Sequence, residues 1–211
     1  ASRPKHLAGY QNAALAERYT AVVEKVRAAE QKTGKNGLAE AVARNYAKLL
    51  AYKDEYEVAR LYADAAFQAG LERQFEGDYK LKFHLAPPLF ASRDPKTGHL
   101  LKQEFGSWML PAFKLLAKFK FLRGTTFDPF GYTAERRVER ALIGEYEVLV
   151  GELLATLTAT NHDLAVHLAS VPDDIKGYGH VKDAHLAKAR RKQAELLQQW
   201  RNQVPARIAA E

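Results

Sequence analysis

Apolar residues recur every three or four positions along most of the chain, which is the period of an amphipathic α-helix. The clearest repeat predicts a helix over about 133–157 with one apolar stripe: Val138, Leu142, Tyr146, Leu149, Leu153 and Leu157. Weaker repeats predict further helices: one from Pro4 to the glycines at 34 and 37, others over about 38–52, 54–63, 65–76 and 107–121, a shorter one ending near Val171, and a last one over about 181–203.

The period changes to two after residue 78, which is typical of a strand with one buried face. Tyr79, Leu81, Phe83 and Leu85 alternate there with polar residues. Prolines at 87 and 88 interrupt the strand, turn residues follow at 94–98, and 100–105 is suited to the partner strand. The sequence therefore predicts a mainly α fold of about seven helices with one inserted irregular β-hairpin at about 79–105.

The length and composition predict one domain over residues 1–211, with a division into two lobes as the alternative. The chain has 211 residues, of which 47% are hydrophobic and 27% charged, as is ordinary for a globular domain. It has no cysteine, which excludes disulfides, thiolate catalysis and a cysteine-ligated iron–sulfur cluster within this chain. The first residues lack a signal-peptide core and no apolar run could span a bilayer, so we expect a cytoplasmic protein without a membrane partner.

The net charge of +7 is concentrated in one central segment. Residues 79–127 contain nine Lys and Arg against two Asp and Glu, whereas residues 36–78 contain five against eight. Such an excess either keeps the surface solvated or faces an anion, such as a cofactor phosphate, nucleic acid or an acidic partner.

Three arginines are candidates for binding an anion in or beside this segment. Arg123 begins the sequence Arg-Gly-Thr-Thr, which combines a flexible backbone, hydroxyls and a guanidinium, as a small anion nest does. Arg136 and Arg137 stand at the start of the longest predicted helix. The three could face coenzyme A, or they could keep the domain soluble or pair with its own acidic segments. For Arg136 and Arg137, which alternate with Glu135 and Glu139, the sequence favours the structural role.

Metal and catalytic sites have little support in the sequence. Asp163 and His167 are four residues apart and could share a metal, but one such pair is weak evidence, and we predict no metal site. No nucleophile–base pair and no phosphate loop are recognisable, so we predict no catalytic residue.

Several dense segments resemble a known family. They are DEYEVARLY at 54–62, FEGDYKLKFHLAPPL at 75–89, FGSWMLPAFKLLA at 105–117, LRGTTFDPFGYTAERRVERALIGEYE at 122–147 and IKGYGHVK at 175–182. In this order and spacing they resemble the C-terminal domain of the fused indolepyruvate ferredoxin oxidoreductases, a 2-oxoacid:ferredoxin oxidoreductase family. The resemblance runs from about residue 6 to about residue 200.

The resemblance implies a larger parent enzyme. Such enzymes oxidatively decarboxylate aryl pyruvates to aryl-acetyl-CoA and reduce ferredoxin, using thiamine diphosphate, an iron–sulfur cluster and coenzyme A. In the family those cofactors belong to regions N-terminal to this domain, and no catalytic residue carries over to this chain. The implied partners are the remaining domains of a homodimeric parent and, indirectly, ferredoxin.

Two functional hypotheses follow, and a third has the least support. The first is a non-catalytic accessory or structural domain of that oxidoreductase. The second is an independent basic helical module that binds nucleic acid or another polyanion, which would require exposed aromatic residues among the basic ones. Tyr79, Phe83 and Phe105 fall on the predicted buried face, which argues against nucleic acid. The third is an independent enzyme.

Overall fold

The computed structural model describes residues 2–77, 79–85, 101–177 and 179–203. These residues form a mainly α-helical fold with one small antiparallel sheet, which confirms the predicted fold class. The chain divides into two compact units, described separately below. Unit 1 comprises residues 1–52 and 137–211, and unit 2 comprises residues 53–136.

Unit 1 contains helices from both ends of the chain. They are α1 (Arg3–Tyr10), α2 (Ala13–Gln31), α3 (Leu38–Leu50), α7 (Ala134–Ala155) from Arg137 onward, α8 (His162–Ser170) and α9 (Gly179–Gln203), with a 3₁₀ turn at Val171–Asp174. The start of α3 depends on Gly37, whose φ of +120° lies in a region that side chains other than glycine rarely adopt.

The N-terminal helix predicted as one element is in fact two. The backbone of Asn12 is extended, and its side chain accepts a hydrogen bond of 2.9 Å from the Leu15 backbone N–H. Asn12 is therefore the N-cap of α2, and α1 ends just before it. An asparagine cap does not interrupt the apolar period, which is why the break is not evident from spacing.

One hydrophobic core occupies unit 1. Leu142, Tyr146, Leu149 and Leu153 of α7 are all buried in it, which confirms the stripe predicted from the sequence. Trp200 of α9 is among its most buried side chains. The rings of Tyr19, Tyr46 and Tyr146 stack in succession, with centroids 6.0 and 6.1 Å apart. Large aromatic side chains thus join α2, α3 and α7.

Unit 2 is smaller and contains both strands. Its elements are α4 (Glu55–Ala63), α5 (Ala65–Gln74), β1 (Phe83–Leu85), β2 (Gln103–Phe105), α6 (Met109–Lys118) and a 3₁₀ turn at Phe119–Leu122. Asp54 caps α4 by accepting the Glu57 backbone N–H at 2.8 Å, and Asp64 caps α5 by accepting the Ala66 backbone N–H at 2.8 Å.

The predicted hairpin is present but its described strands are short. Phe83 pairs with Phe105 and Leu85 with Gln103, in antiparallel register. Phe83 is buried, but Tyr79 is exposed and Phe105 only half-buried, so the prediction of one buried face from Tyr79 onward was wrong at Tyr79. The predicted proline break and the turn at 94–98 lie outside the described residues.

An aromatic cluster forms the core between the hairpin, α4 and α6. The rings of Tyr62, Phe83 and Phe113 lie 5.2 to 5.4 Å apart, two of the contacts being edge-on and one stacked. Ala59, which is fully buried, lets α4 approach α6 closely. Phe113 is the buried residue that α6 contributes to this cluster, and Met109, Leu110 and Leu116 pack around it.

Candidate functional site

The start of α4 and the loop after the 3₁₀ turn meet through a buried ion pair. The Arg123 guanidinium donates from Nε to Asp54 Oδ2 at 2.5 Å and from an Nη to Asp54 Oδ1 at 2.9 Å. Both side chains are almost entirely shielded from solvent. Two parallel hydrogen bonds between ionised groups fix orientation as well as distance, so this contact defines how the two segments fit together.

A second carboxylate organises the same loop. Asp128 accepts hydrogen bonds from the Gly124 backbone N–H at 2.9 Å and the Phe130 backbone N–H at 3.1 Å. The Tyr56 hydroxyl donates to it at 3.2 Å, and the Arg123 guanidinium lies 5.6 Å from the Tyr56 ring centre. Asp128 therefore closes the loop onto itself and onto α4.

The electrostatics of this cluster keep its tyrosine protonated. Burial, followed by the negative charge of Asp128, raises the pKa of Tyr56 well above its usual value. Its hydroxyl is consequently a hydrogen-bond donor across the physiological pH range. A group held so firmly in its protonated form acts as a structural donor and is poorly suited to serve as a base.

The three arginines proposed for an anion patch are in different environments. Arg123 pairs with Asp54, and Arg136 lies 3.4 Å from the adjacent carboxylate, Glu55, with both side chains mostly buried. Arg137 belongs to unit 1 and is exposed. The structure thus brings two of the three to neighbouring carboxylates at the start of α4, which supports the structural alternative for Arg123 and Arg136.

The neighbourhood of this cluster is nevertheless electropositive. Burial, and then the positive charges of Arg60 and Arg123, lower the pKa of Lys120. Arg60 itself pairs with Glu57 through two hydrogen bonds of 2.7 and 2.8 Å. The carboxylates of α4 are therefore already matched by arginines, and the lysine beside them experiences a net positive field.

Unit 1 has its own buried polar cluster, centred on Glu30. This carboxylate accepts the backbone N–H groups of Leu38 at 2.5 Å and Ala39 at 3.0 Å, and His162 Nε2 lies 2.7 Å from it. Burial opposes ionisation of Glu30, but the bonds from His162 and the two N–H groups outweigh it and lower its pKa. Glu30 therefore satisfies the first turn of α3, where a negative charge is favoured.

The pair considered as a metal site, Asp163 and His167, is exposed, and Asp163 bonds to Lys35 at 3.1 Å. The neighbouring His162 is buried against Glu30. Across the described ranges no group of three or more His, Cys, Asp or Glu side chains could hold a metal ion. In that same part of the chain, no helix is long and apolar enough to cross a bilayer.

Sequence reasoning missed two features of unit 2. The first is the pairing of Asp54 with Arg123, which lie 69 residues apart, although Asp54 is recognisable as a helix cap. The second is the exposure of two large apolar side chains of α6 and its N-cap, Trp108 and Leu115. Apolar residues occur on more than one face of α6, and no spacing rule says which face is covered.

The fold and these clusters describe a class of protein: a helical domain of two compact units. Within each unit, buried ionisable groups bind segments of the chain to each other. The chain belongs to the DUF6537 family, a family of unknown function whose model matches residues 1–195. No curated protein and no solved structure matches the chain significantly.

Proposed function

We propose that this chain is a non-catalytic accessory domain of a thiamine-diphosphate-dependent indolepyruvate:ferredoxin oxidoreductase in the cytoplasm. The parent makes aryl-acetyl-CoA and reduced ferredoxin, and its thiamine diphosphate, iron–sulfur and coenzyme A sites lie in other domains. The sequence resemblance over residues 6–200 supports the choice of parent. The buried contact between two of the resembling segments supports the accessory role.

That contact is the observation on which the accessory role rests. Residues 54–62 and 122–147 are the two segments of the resemblance richest in charged residues. In the fold, Asp54 and Glu55 of the first segment bind Arg123 and Arg136 of the second. These four charged side chains are thus bonded to each other in two pairs.

The chemistry of these groups is consistent with a structural role. A general acid or base has to reach a substrate proton within hydrogen-bond distance. Asp54 is buried, uses both oxygens on Arg123 and also caps α4. Removing one partner of such a pair leaves an uncompensated charge, which destabilises a protein strongly without any direct effect on a distant reaction.

The test uses the full-length parent enzyme and separates folding from chemistry. Arg123→Met should lower the thermal unfolding midpoint, while the turnover number per folded enzyme and the KM for coenzyme A remain those of the parent at a temperature where both proteins are folded. Arg137→Ala is the matched control, because it removes an exposed arginine from the same predicted patch. Arg136→Ala is the third variant, because Arg136 is the remaining arginine of the predicted anion patch.

Three results would contradict the proposal in different ways. A large fall in turnover of the folded Arg123→Met enzyme would give the network a part in the reaction. A higher KM for coenzyme A in all three arginine variants, with a difference from the parent that shrinks at high salt because salt screens the parent's arginines, would instead support the coenzyme A patch. A full-length gene product without 2-oxoacid oxidoreductase activity would refute the assignment of the parent.

A further inference from the structure

The outer face of α6 carries large apolar side chains in contact with water. Trp108, Leu115 and Phe119 are 63%, 58% and 41% exposed. They are seven and four residues apart, which places them along one side of the helix and its 3₁₀ extension. The opposite side carries Phe113, which is buried in the aromatic core of unit 2. We call Trp108, Leu115, Phe119 and the adjoining Phe121 the outer strip.

The outer strip is long enough to serve as an interface core. From Trp108 to Phe119 an α-helix rises by about 16 Å. Phe121 is 61% exposed, and its ring lies 6.1 Å from that of Phe119, so the strip continues past the end of α6. Trp and Phe are enriched at the centres of protein interfaces, and contiguous exposed apolar surface of this kind marks interaction sites.

Charges beside the strip are of one sign. Lys114 and Lys118 lie on the exposed part of the same helix, and residues 105–127 contain no Asp or Glu. Neighbouring carboxylates are already bound: Asp54 by Arg123, Glu55 by Arg136, Glu57 by Arg60 and Glu104 by Lys82. Within the described residues Lys114 and Lys118 have no carboxylate partner, so the strip has a positive border.

We propose that the outer strip docks onto an apolar protein surface bordered by aspartate and glutamate in another domain of the parent oxidoreductase. This rests on the proposed function for the identity of the partner. The apolar centre would supply most of the affinity, and the carboxylates would neutralise Lys114 and Lys118 and fix the orientation.

The combination of an apolar strip with two lysines at its border favours an acidic protein surface over a second copy of the chain or nucleic acid. A second copy placed symmetrically on the same face would bring two positive borders together, which costs affinity. Nucleic acid is bound through many cations and through aromatic faces that stack on bases. In the described part of the chain the strip is bordered by two lysines without a carboxylate partner, and Leu115 occupies the middle of the strip.

The experiment measures whether the domain stays attached once its covalent link is cut. A specific protease site is introduced before Ala1 in the full-length enzyme, the chain is cleaved, and the two pieces are followed by size-exclusion chromatography at low and high salt. The parental pieces should co-elute. Trp108→Ser, Leu115→Ser and the double variant Lys114→Glu/Lys118→Glu should each weaken association about tenfold or more.

Matched controls are available on unit 1. Val148→Ser changes a side chain that is 72% exposed on α7, and Lys25→Glu/Lys188→Glu repeats the charge reversal at exposed positions. Both controls should co-elute like the parent. Because every substituted residue is exposed, circular dichroism and unfolding midpoints should match the parent in all variants. Carbodiimide coupling of the intact enzyme should join Lys114 or Lys118 to carboxylates outside residues 1–211.

Other outcomes would overturn the inference. Strip variants that remain attached like the controls would show that the domain docks elsewhere, and immediate release of the parental domain would show that it does not dock. A released domain that forms dimers, sediments with phosphatidylserine vesicles or binds single-stranded DNA through the strip would assign it another occupant. None of these outcomes depends on the turnover number, whereas failure of the accessory role would appear as a fall in the turnover number of the folded enzyme. The two failures are therefore distinguishable.

Discussion

Asp54 bonds to two different parts of unit 2 with a single carboxylate. It accepts the backbone N–H of Glu57 at the start of α4 and binds the guanidinium of Arg123 from the later loop. A helix cap typically contributes about 1 kcal/mol, whereas breaking a buried ion pair by removing one partner costs about 3–5 kcal/mol. The long-range pair is therefore the more important of its two contacts.

Arg123→Met should destabilise unit 2 by about 3–5 kcal/mol, because Asp54 would remain charged, buried and without its arginine. The double variant Asp54→Asn/Arg123→Met should lose less, since it leaves no uncompensated charge and asparagine still caps a helix. Urea denaturation of Arg123→Met, Asp54→Asn, the double variant and the parent gives the coupling energy. Arg137→Met serves as the exposed control, and additive losses would show that the two side chains act independently.

Glu30 should make unit 1 sensitive to acid. Its folded pKa lies below the ordinary value of 4.5, so its contribution to stability is present above that value and is lost as the pH falls through the folded pKa. Glu30→Gln should therefore reduce the free energy of unfolding at pH 7 and flatten its decline below about pH 4.5.

Denaturation midpoints measured between pH 3 and pH 7 check this expectation. Glu24→Gln is the matched control, because Glu24 lies on the same helix and its side chain is exposed. If the Glu30 and Glu24 variants gave parallel pH profiles, the bonds from His162 and the start of α3 would not be the source of the acid sensitivity.

Helix α7 is the element whose buried face is easiest to predict from the sequence. Its apolar stripe has a single period over more than five turns, and the residues predicted to face the core do so. Helix α6 shows the opposite case. Its apolar residues surround most of the helix, so the period identified a helix but could not say that Trp108 and Leu115 would remain exposed.

Leu142→Ala and Leu153→Ala should each reduce stability by about 2–5 kcal/mol, because both remove buried methyl groups and leave a cavity in the core of unit 1. Val148→Ala on the same helix should change stability by less than about 0.5 kcal/mol, since Val148 is exposed. Chemical denaturation measures all three. Equal midpoints for the buried and exposed variants would contradict the assignment of the buried face of α7.

For the whole molecule, the sequence predicted the helical fold class and the β-hairpin. It did not predict which residues form each of the two compact units. Elements follow from local spacing, whereas the pairing of Asp54 with Arg123 and of Glu30 with His162 joins residues 69 and 132 positions apart. Long-range ion pairs leave no periodic signal in a single sequence. The two polar clusters were therefore beyond sequence reasoning, although Arg123 and Arg136 of the unit 2 cluster were singled out from the sequence as candidates for binding an anion.

The isolated 211-residue chain should bind neither thiamine diphosphate nor an iron–sulfur cluster, and should have no oxidoreductase activity. Its lack of cysteine leaves a cluster without its usual ligands, and it contains no recognisable diphosphate loop. Isothermal titration calorimetry with thiamine diphosphate and Mg²⁺, and absorbance after anaerobic reconstitution with iron and sulfide, measure the two events. Saturable heat or a stable cluster absorbance band would refute the prediction.

The division of unit 1 between the two ends of the chain has a consequence for biosynthesis. Residues 53–136 form a compact unit that leaves the ribosome as one continuous stretch, whereas the core of unit 1 needs α7, α8 and the buried Trp200 of α9. Domains fold as their residues emerge. We therefore expect the inserted unit to fold first. Helices α2 and α3 remain without α7, whose Tyr146 stacks on Tyr46 of α3, until roughly a hundred further residues have been made, and they are then the part of the nascent chain most in need of chaperones.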